Sequence, residues 1–359
     1  MKIDIIAGAR PNFMKIAPII EALEKVKNKI TYRLIHTGQH YDKKMSGSFF
    51  EELGIPEPHV NLEVGSGTQA HQTAKIMEGY EALLLEDMAD YCLVVGDVTS
   101  TMACSIAAKK LNVKVIHVEG GIRSGDETMP EEINRMVTDS ITDVFYTTSD
   151  TANENLRKLG HDDEKIIFVG NTMIDTLLKY MPYFTKPKVY DELNLRAKGY
   201  FVMTLHRPAN VDEEKKLKSL VDEIVKGSRG MPIIFPVHPR TAKILKGIGI
   251  DAENLHMTEP LGYLSFNYLA KHAFAVITDS GGITEETTVM KVPCLTLRDN
   301  TERPETITIG TNVLVGTNPD NIAPHMKKLH SGNWKTGNTP RLWDGKTAER
   351  IVQDLLTRI

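Results

Sequence analysis

The stretch VKVIHVEGGIRSGDETMPEEINR, residues 113–135, decides how the rest of the chain is read. Its first six residues form a short β-branched run of the kind that makes a buried strand. Five carboxylates (Glu119, Asp126, Glu127, Glu131 and Glu132) and two arginines (Arg123 and Arg135) follow within the next seventeen residues. An apolar strand that ends in so much charge has two explanations. One is a solvated loop leading into a capped helix. The other is a strand end at which carboxylates move protons.

The same strand-then-charge pattern recurs along the chain. Candidate strands lie at 3–7, 32–36, 93–95, 113–118, 144–147 and 166–169. After a break they resume at 200–205, 233–237, 255–257, 275–278, 294–297 and 313–315. Stretches of helical length, such as 16–27 and 72–86, separate most of them. Apolar strands alternating with helices imply parallel sheets covered on both faces. The proline-bearing, poorly periodic stretch between 170 and 198 divides the strands into two groups of about six. The expectation is therefore an α/β chain of two Rossmann-like, doubly wound domains, 1–170 and 171–344. In such sheets ligands bind beyond the C-terminal strand ends.

The totals narrow the function. The chain has 359 residues, 41% apolar and 25% charged, which suits two soluble domains. A net charge of −4 gives no electrostatic case for nucleic acid or an anionic membrane as partner. Three widely separated cysteines match no metal spacing and suggest a reducing, cytoplasmic setting. No stretch approaches the roughly 20 apolar residues of a membrane span. No metal site and no cofactor are expected; GSGTQA, residues 65–70, matches the dinucleotide fingerprint formally, but it lies outside the first βα unit and follows a polar, weak strand.

The strand ends carry the chemistry. GARPNFMK, residues 8–15, places Gly8 at a tight turn with Arg10 and Lys15 in reach of an anion, although a plain βα turn reads the same way. GDVTST puts Asp97 at a strand end, where it serves equally as an N-cap. Glu119 follows its strand directly. Thr128 and Glu131 are spaced as a capping box, so capping competes with function for Glu131. In the second half, His206 and Arg207 follow a strand, and His238 repeats the arrangement more weakly. TDSGGITEE, residues 278–286, runs from a strand through Ser280, Gly281 and Gly282 into a helix, an arrangement suited to a diphosphate. Glu286 is placed to accept ribose hydroxyls, and RDNTERPE brings Arg298 and Arg303 close by.

Taken together, GARPNFMK, TGQHYD, GDVTST, HVEGGIRSGD…PEEINR, VGNTMIDTL, LHRPANV, HPR, TDSGGITEE and RDNTERPE resemble the UDP-N-acetylglucosamine 2-epimerase family, in the family's order and over nearly the whole chain. The resemblance implies the two-Rossmann GT-B fold with the active site in the interdomain cleft. It also implies UDP-GlcNAc and UDP-ManNAc as ligands, a homodimer, and a last helix, about 345–359, packed back on the first domain. Carried onto this sequence, the family's motifs place Arg10, Lys15, Asp97, Glu119, Glu131 and His206 around the sugar and diphosphate. They place Ser280, Gly281, Gly282, Glu286 and Arg303 at the uridine diphosphate, and Phe266 near the uracil. Leu261 departs from the glutamine that relatives often carry there. Gln39 and His40 of TGQHYD resemble the segment that borders a second, allosteric UDP-GlcNAc site in bacterial members. Asp126, Glu127 and Glu132 read as solvated charge. A hydrolysing epimerase, a GT-B glycosyltransferase and a non-catalytic nucleotide-sugar binder stay open beside the epimerase reading.

Overall fold

A computed structural model describes residues 1–38, 54–237, 239–250 and 252–359. The chain separates into two compact units, Met1–Lys179 with Arg341–Ile359, and Tyr180–Pro340.

In the first unit, β1 (Lys2–Ala7), β2 (Thr31–His36), β3 (Val60–Asn61), β4 (Tyr91–Val95), β5 (Lys114–Val118), β6 (Val144–Thr147) and β7 (Ile166–Phe168) form a seven-stranded sheet. Its order is β3-β2-β1-β4-β5-β6-β7, and every pairing is parallel. In the second unit, β8 (Phe201–Thr204), β9 (Ile233–Pro236), β10 (Leu255–Thr258), β11 (Ala275–Thr278), β12 (Cys294–Thr296) and β13 (Asn312–Leu314) form a six-stranded parallel sheet. Its order is β10-β9-β8-β11-β12-β13. Both are doubly wound orders. The first strand of each unit lies where the winding reverses, beside the fourth, so the ends of β1 and β4 and of β8 and β11 flank the switch points.

Burial explains the composition of these strands. All five residues of β4 are buried, as are all four of β6 and of β11. A strand covered on both faces has no place for the apolar–polar alternation of a half-wet one. One charge is nevertheless built into β1. Asp4 is fully buried, bonded to Arg33 Nε and Nη2 at 2.8 Å each and to the Tyr80 hydroxyl at 3.1 Å. A buried carboxylate persists only with such partners.

The twelve expected strands all form. A thirteenth, β3, is two residues long, at the sheet edge, and lies in the polar stretch HVNLEV. The fingerprint-like GSGTQA becomes the start of the helix Gln69–Glu86, whose N-cap, Thr68, accepts from the His71 amide. The last helix, Thr347–Thr357, packs on the helix Arg10–Glu24. Its first amides, of Thr347 and Ala348, donate to the Asp175 carboxylate. All three cysteines are buried and unbridged.

Candidate functional site

The first cluster lies at the ends of β1, β4 and β5. Asn12, in the first turn of the helix after β1, closes the βα turn. Its Oδ1 accepts from the amides of Gly8 and Ala9, and its Nδ2 donates to the Val95 carbonyl at the end of β4. One helical turn on, Lys15 Nζ reaches Glu119 Oε2 at 2.6 Å. Both side chains are largely buried, at 11% and 2% exposure, so this is a desolvated pair rather than a surface bridge. Glu119 holds a left-handed backbone, φ +72°. That costs a non-glycine residue roughly 1–2 kcal/mol. It is maintained because the Glu119 amide donates to the Tyr146 carbonyl and the carboxylate meets Lys15. Gly96 faces it with φ +68°. That left-handed backbone favours glycine, and a Cβ there would also stand 3.2 Å from Lys15 Nζ and 3.7 Å from Glu119 Oε2.

Asp97 is half-buried beside this pair. Arg135, itself buried, grips Asp97 Oδ2 through Nε at 3.1 Å and Nη2 at 2.7 Å, and Asn134 Nδ2 donates to the Asp97 carbonyl. The other arm of Arg135 pairs with Glu132. Glu132 is buried at 2% exposure and also accepts from the amides of Ser124 and Gly125. Burial alone would raise its pKa, but those amides and Arg135 outweigh it and hold the carboxyl below its ordinary value.

Two expectations are corrected here. Glu132 is not solvated charge but the buried counterpart of Arg135. The capping box does not form: the helix is Pro130–Ile141, its N-cap is Met129, and Thr128 turns back to donate to Asp126 Oδ1. Proline at the first helical position moved the start one residue along from the Thr128 reading. Glu131 is exposed and has no capping role.

Beneath the cluster, His117 and Asp139 are fully buried. His117 Nδ1 stands 2.6 Å from Asp139 Oδ1, and Nε2 stands 2.8 Å from the Gly96 carbonyl. Asp139 Oδ2 accepts from the Gly121 amide at 3.0 Å and pairs with Arg123 at 2.7 Å. Burial pushes the Asp139 pKa up, but His117 and Arg123 together bring it below the ordinary value.

The second unit carries a separate cluster at the ends of β8, β11 and β12. Asp279 follows β11, is fully buried, and gathers the chain after β8: it accepts from the amides of His206 and Arg207 and from Asn210 Nδ2. His206 Nδ1 lies 2.8 Å from Asp279 Oδ1 while its ring stays 61% exposed. Burial raises the Asp279 pKa, and the bonds from His206, Arg207 and Asn210 more than reverse that.

Ser280 is the N-cap of the helix Gly281–Met290 and makes no side-chain cap bond. Its first amides lie at the positive end of the helix dipole, where an anion is stabilised. The Glu286 carboxyl is buried, and its described bonds both fall on Oε1, from the Tyr263 hydroxyl at 2.8 Å and Asn267 Nδ2 at 3.4 Å. Burial lifts its pKa to about 7 despite those donors. Arg303 is buried and bonds Glu285 through Nε. Arg298 pairs with Glu302 at 2.6 Å, which holds the Glu302 pKa at about 2 against the effect of burial. Phe266 and Leu261 are half-buried in one apolar cluster with Tyr200 and Leu269.

Of the expected residues, Lys15, Asp97 and Glu119 come together in the first unit. His206, Ser280, Gly281 and Gly282 gather around the end of β11 in the second, with Glu286 and Arg303 on or against the helix that follows. Gln39, His40, His238 and the Arg10 side chain lie outside the described residues. Sequence reasoning missed Asn12, His117, Arg135, Asp139, Asp279 and Tyr263. The Asp of TDSGG and the Asn of GARPN stood inside motifs already singled out. His117 and Arg135 also stand within HVEGGIRSGD…PEEINR, but their partners, like those of Asp139 and Tyr263, show only in tertiary contacts. Among the described residues no cluster of histidine, cysteine and carboxylate is arranged to hold a metal ion, and no helix is long and apolar enough to cross a membrane.

This is the build of a two-unit, doubly wound α/β protein with buried and half-buried carboxylates at the strand ends of one unit and a glycine-bearing helix start at a strand end of the other. The family model for UDP-N-acetylglucosamine 2-epimerase matches residues 21–356. The UDP-N-acetylglucosamine 2-epimerase of Methanocaldococcus jannaschii is 42% identical over 99% of both chains. The UDP-2,3-diacetamido-2,3-dideoxy-D-glucuronate 2-epimerase of Pseudomonas aeruginosa is 37% identical over 100% of both. The crystal structure of the Methanocaldococcus jannaschii UDP-GlcNAc 2-epimerase in complex with UDP-GlcNAc and UDP matches with a TM-score of 0.88 at 42% identity, covering 99% of this chain and 100% of that one. The chain belongs to the UDP-N-acetylglucosamine 2-epimerase family.

Proposed function

We propose that this chain interconverts UDP-GlcNAc and UDP-ManNAc without net hydrolysis, by elimination and re-addition of UDP. The observation that carries the proposal is the Lys15–Glu119 pair beside Asp97, a set of buried and half-buried carboxylates at the strand ends where such sheets bind ligands.

The chemistry requires such a set. No carbonyl is attached to C2 of the sugar, so its proton is not acidic. When the C1–O bond to UDP breaks, the electron pair leaves with UDP and the ring takes on oxocarbenium character. A carboxylate then removes the C2 proton, giving 2-acetamidoglucal and UDP. Return of UDP to C1 with a proton delivered to the other face of C2 yields the epimer. Base and acid must therefore stand on opposite faces of the sugar. Asp97, Glu119 and Glu131 supply the carboxylates in this reading. Arg10, Lys15, His206, Arg303 and the amides at Ser280–Gly282 stabilise the departing diphosphate. Glu286 takes the ribose hydroxyls and Phe266 lies near the uracil. The proposal requires both units to serve one substrate molecule and to exclude water while the glycal exists. It also takes the protein to be a cytoplasmic homodimer.

The support is the family relationship, the 42% identical relative, which is named for the same activity, and the carboxylate cluster. The 37% identical relative bears the name of a different UDP-2-acetamido sugar epimerase, so the test compares both substrates. Purified protein is incubated with UDP-GlcNAc and, separately, with UDP-2,3-diacetamido-2,3-dideoxy-D-glucuronate, and products are followed by NMR. The proposal predicts a UDP-GlcNAc/UDP-ManNAc mixture with no free ManNAc. Release of ManNAc and UDP would identify a hydrolysing enzyme. Unchanged UDP-GlcNAc would leave a transferase, a binder or the uronate epimerase.

A further inference from the structure

We propose that His117 is a positioning residue: a buried imidazolium, protonated on both ring nitrogens, that locks together the two strand-end turns carrying Asp97 and Glu119. This rests on the reading of those two carboxylates as reacting groups.

The argument is one of donors and acceptors. The ring is fully buried, so no solvent shares its bonds. Nε2 lies 2.8 Å from the Gly96 carbonyl, which can only accept, so Nε2 carries a proton. Nδ1 lies 2.6 Å from Asp139 Oδ1. The same carboxylate receives the Gly121 amide and Arg123 on its other oxygen. A carboxyl that pairs with a guanidinium and accepts from an amide is ionised, and two facing lone pairs at 2.6 Å would repel. Nδ1 therefore carries a proton as well, and the short contact is that of a charge-assisted bond. The ionisable groups that face this pair are Asp139 itself, from the helix Pro130–Ile141, Arg123 from the loop after β5, and His161, which interacts electrostatically with both.

What the ring holds is the geometry of the candidate site. Its Nε2 proton fixes the carbonyl of the residue immediately before Asp97. Its own backbone lies two residues before Glu119. The turns so joined contain the left-handed Gly96 and the left-handed Glu119. Gly121, also left-handed at φ +81°, passes so close to the Ala152 carbonyl that a Cβ would stand 2.4 Å from it, while its amide completes the Asp139 shell. Backbone held in sparsely populated regions persists only where its surroundings over-determine it. His117 supplies that constraint from below, and a displacement of about 1 Å at a reacting group costs on the order of a hundredfold in rate.

The experiment uses the full chain in two arms. In the first, wild-type protein with 15N-labelled histidine side chains is observed by long-range 1H–15N correlation at about pH 8, above the ordinary histidine range. One histidine, absent from the spectrum of His117→Asn, is expected to show both nitrogens protonated. A neutral tautomer pattern for that residue would overturn the proposal, whatever the activity. In the second arm, His117→Gln and His117→Asn are assayed for epimerisation at matched folded fraction. The expectation is a kcat lowered about a hundredfold with KM changed less than about threefold. A thermal-stability loss with unchanged kcat would make His117 merely structural and would also overturn it. If the variants do not fold, the His117 ring is assigned in the wild-type protein through its own backbone resonances, and the first arm still decides. A wild-type protein that shows the imidazolium but no epimerisation would sink the functional reading and the positioning role with it, and leave the protonation state standing.

Discussion

Replacing Glu286 with glutamine is expected to flatten the dependence of stability on pH while weakening the protein's hold on UDP. Glu286 is 4% exposed, and burial sets its folded pKa at about 7, against 4.5 for the free carboxyl. Between those values the folded chain keeps a proton that the unfolded chain has lost. The stabilising share of this group is therefore complete below about pH 4.5 and falls away as pH rises to about 7. At roughly 1.4 kcal/mol per unit, the wild type loses about 3 kcal/mol through this one group over that window. Glutamine is close in shape to the neutral acid and does not titrate. Its Oε1 keeps the bonds from Tyr263 and Asn267. Its extra N–H donors carry a cost of about 1–3 kcal/mol, but that cost is the same at every pH. Urea denaturation of both proteins at about pH 5 and pH 8 isolates the difference. Between the two conditions the wild type should lose about 2–3 kcal/mol more than Glu286→Gln, other titrating groups being common to both. Parallel stability–pH curves would refute the claim that Glu286 is buried as a neutral acid near pH 7.

Three further outcomes follow from the same structure. Glu119→Gln keeps a hydrogen-bonding oxygen for Lys15 but cannot transfer a proton, so kcat should fall by roughly a hundred- to ten-thousandfold with an unchanged circular dichroism spectrum. Glu131 is exposed and caps nothing, so Glu131→Gln should alter unfolding free energy by less than about 0.5 kcal/mol yet lose most activity; a fully active variant would remove Glu131 from the mechanism. Asp4→Asn keeps one accepting oxygen but removes the carboxylate that pairs with the largely buried Arg33, leaving Asp87 as its charged partner, and urea denaturation should show a loss of about 3–5 kcal/mol.

The strands are legible because a doubly covered sheet writes itself as short, nearly continuous apolar runs, and β4, β6 and β11 are of this kind. Glycine-rich strand ends then marked where side chains with chemistry must stand. The errors come from contacts that spacing does not encode. Thr128 and Glu131 fitted a capping pattern, but Asp126 captured Thr128 and the helix began at Pro130. Glu132 looked like one more helical surface charge. Its burial depends on the amides of Ser124 and Gly125 folding over it and on Arg135 turning inward to Asp97. In the sequence Arg135 stands only as one of two arginines in that stretch; in the structure it pairs with Glu132 three residues before it. His117 sat inside an apolar strand and looked like part of its core. Its partners, Gly96 and Asp139, come from the turn after β4 and from the helix that follows β5. Asp279 was passed over beside the more familiar Ser-Gly-Gly, yet it organises the turn that holds His206.

The central claim is that the C2 proton leaves and returns through elimination of UDP. Incubation of the wild-type protein with UDP-GlcNAc in deuterated water, followed by NMR, tests it most directly. The account predicts UDP-ManNAc carrying deuterium at C2, with deuterium also entering the UDP-GlcNAc pool as the reaction reverses. Epimerised product that retains its original C2 proton would contradict it.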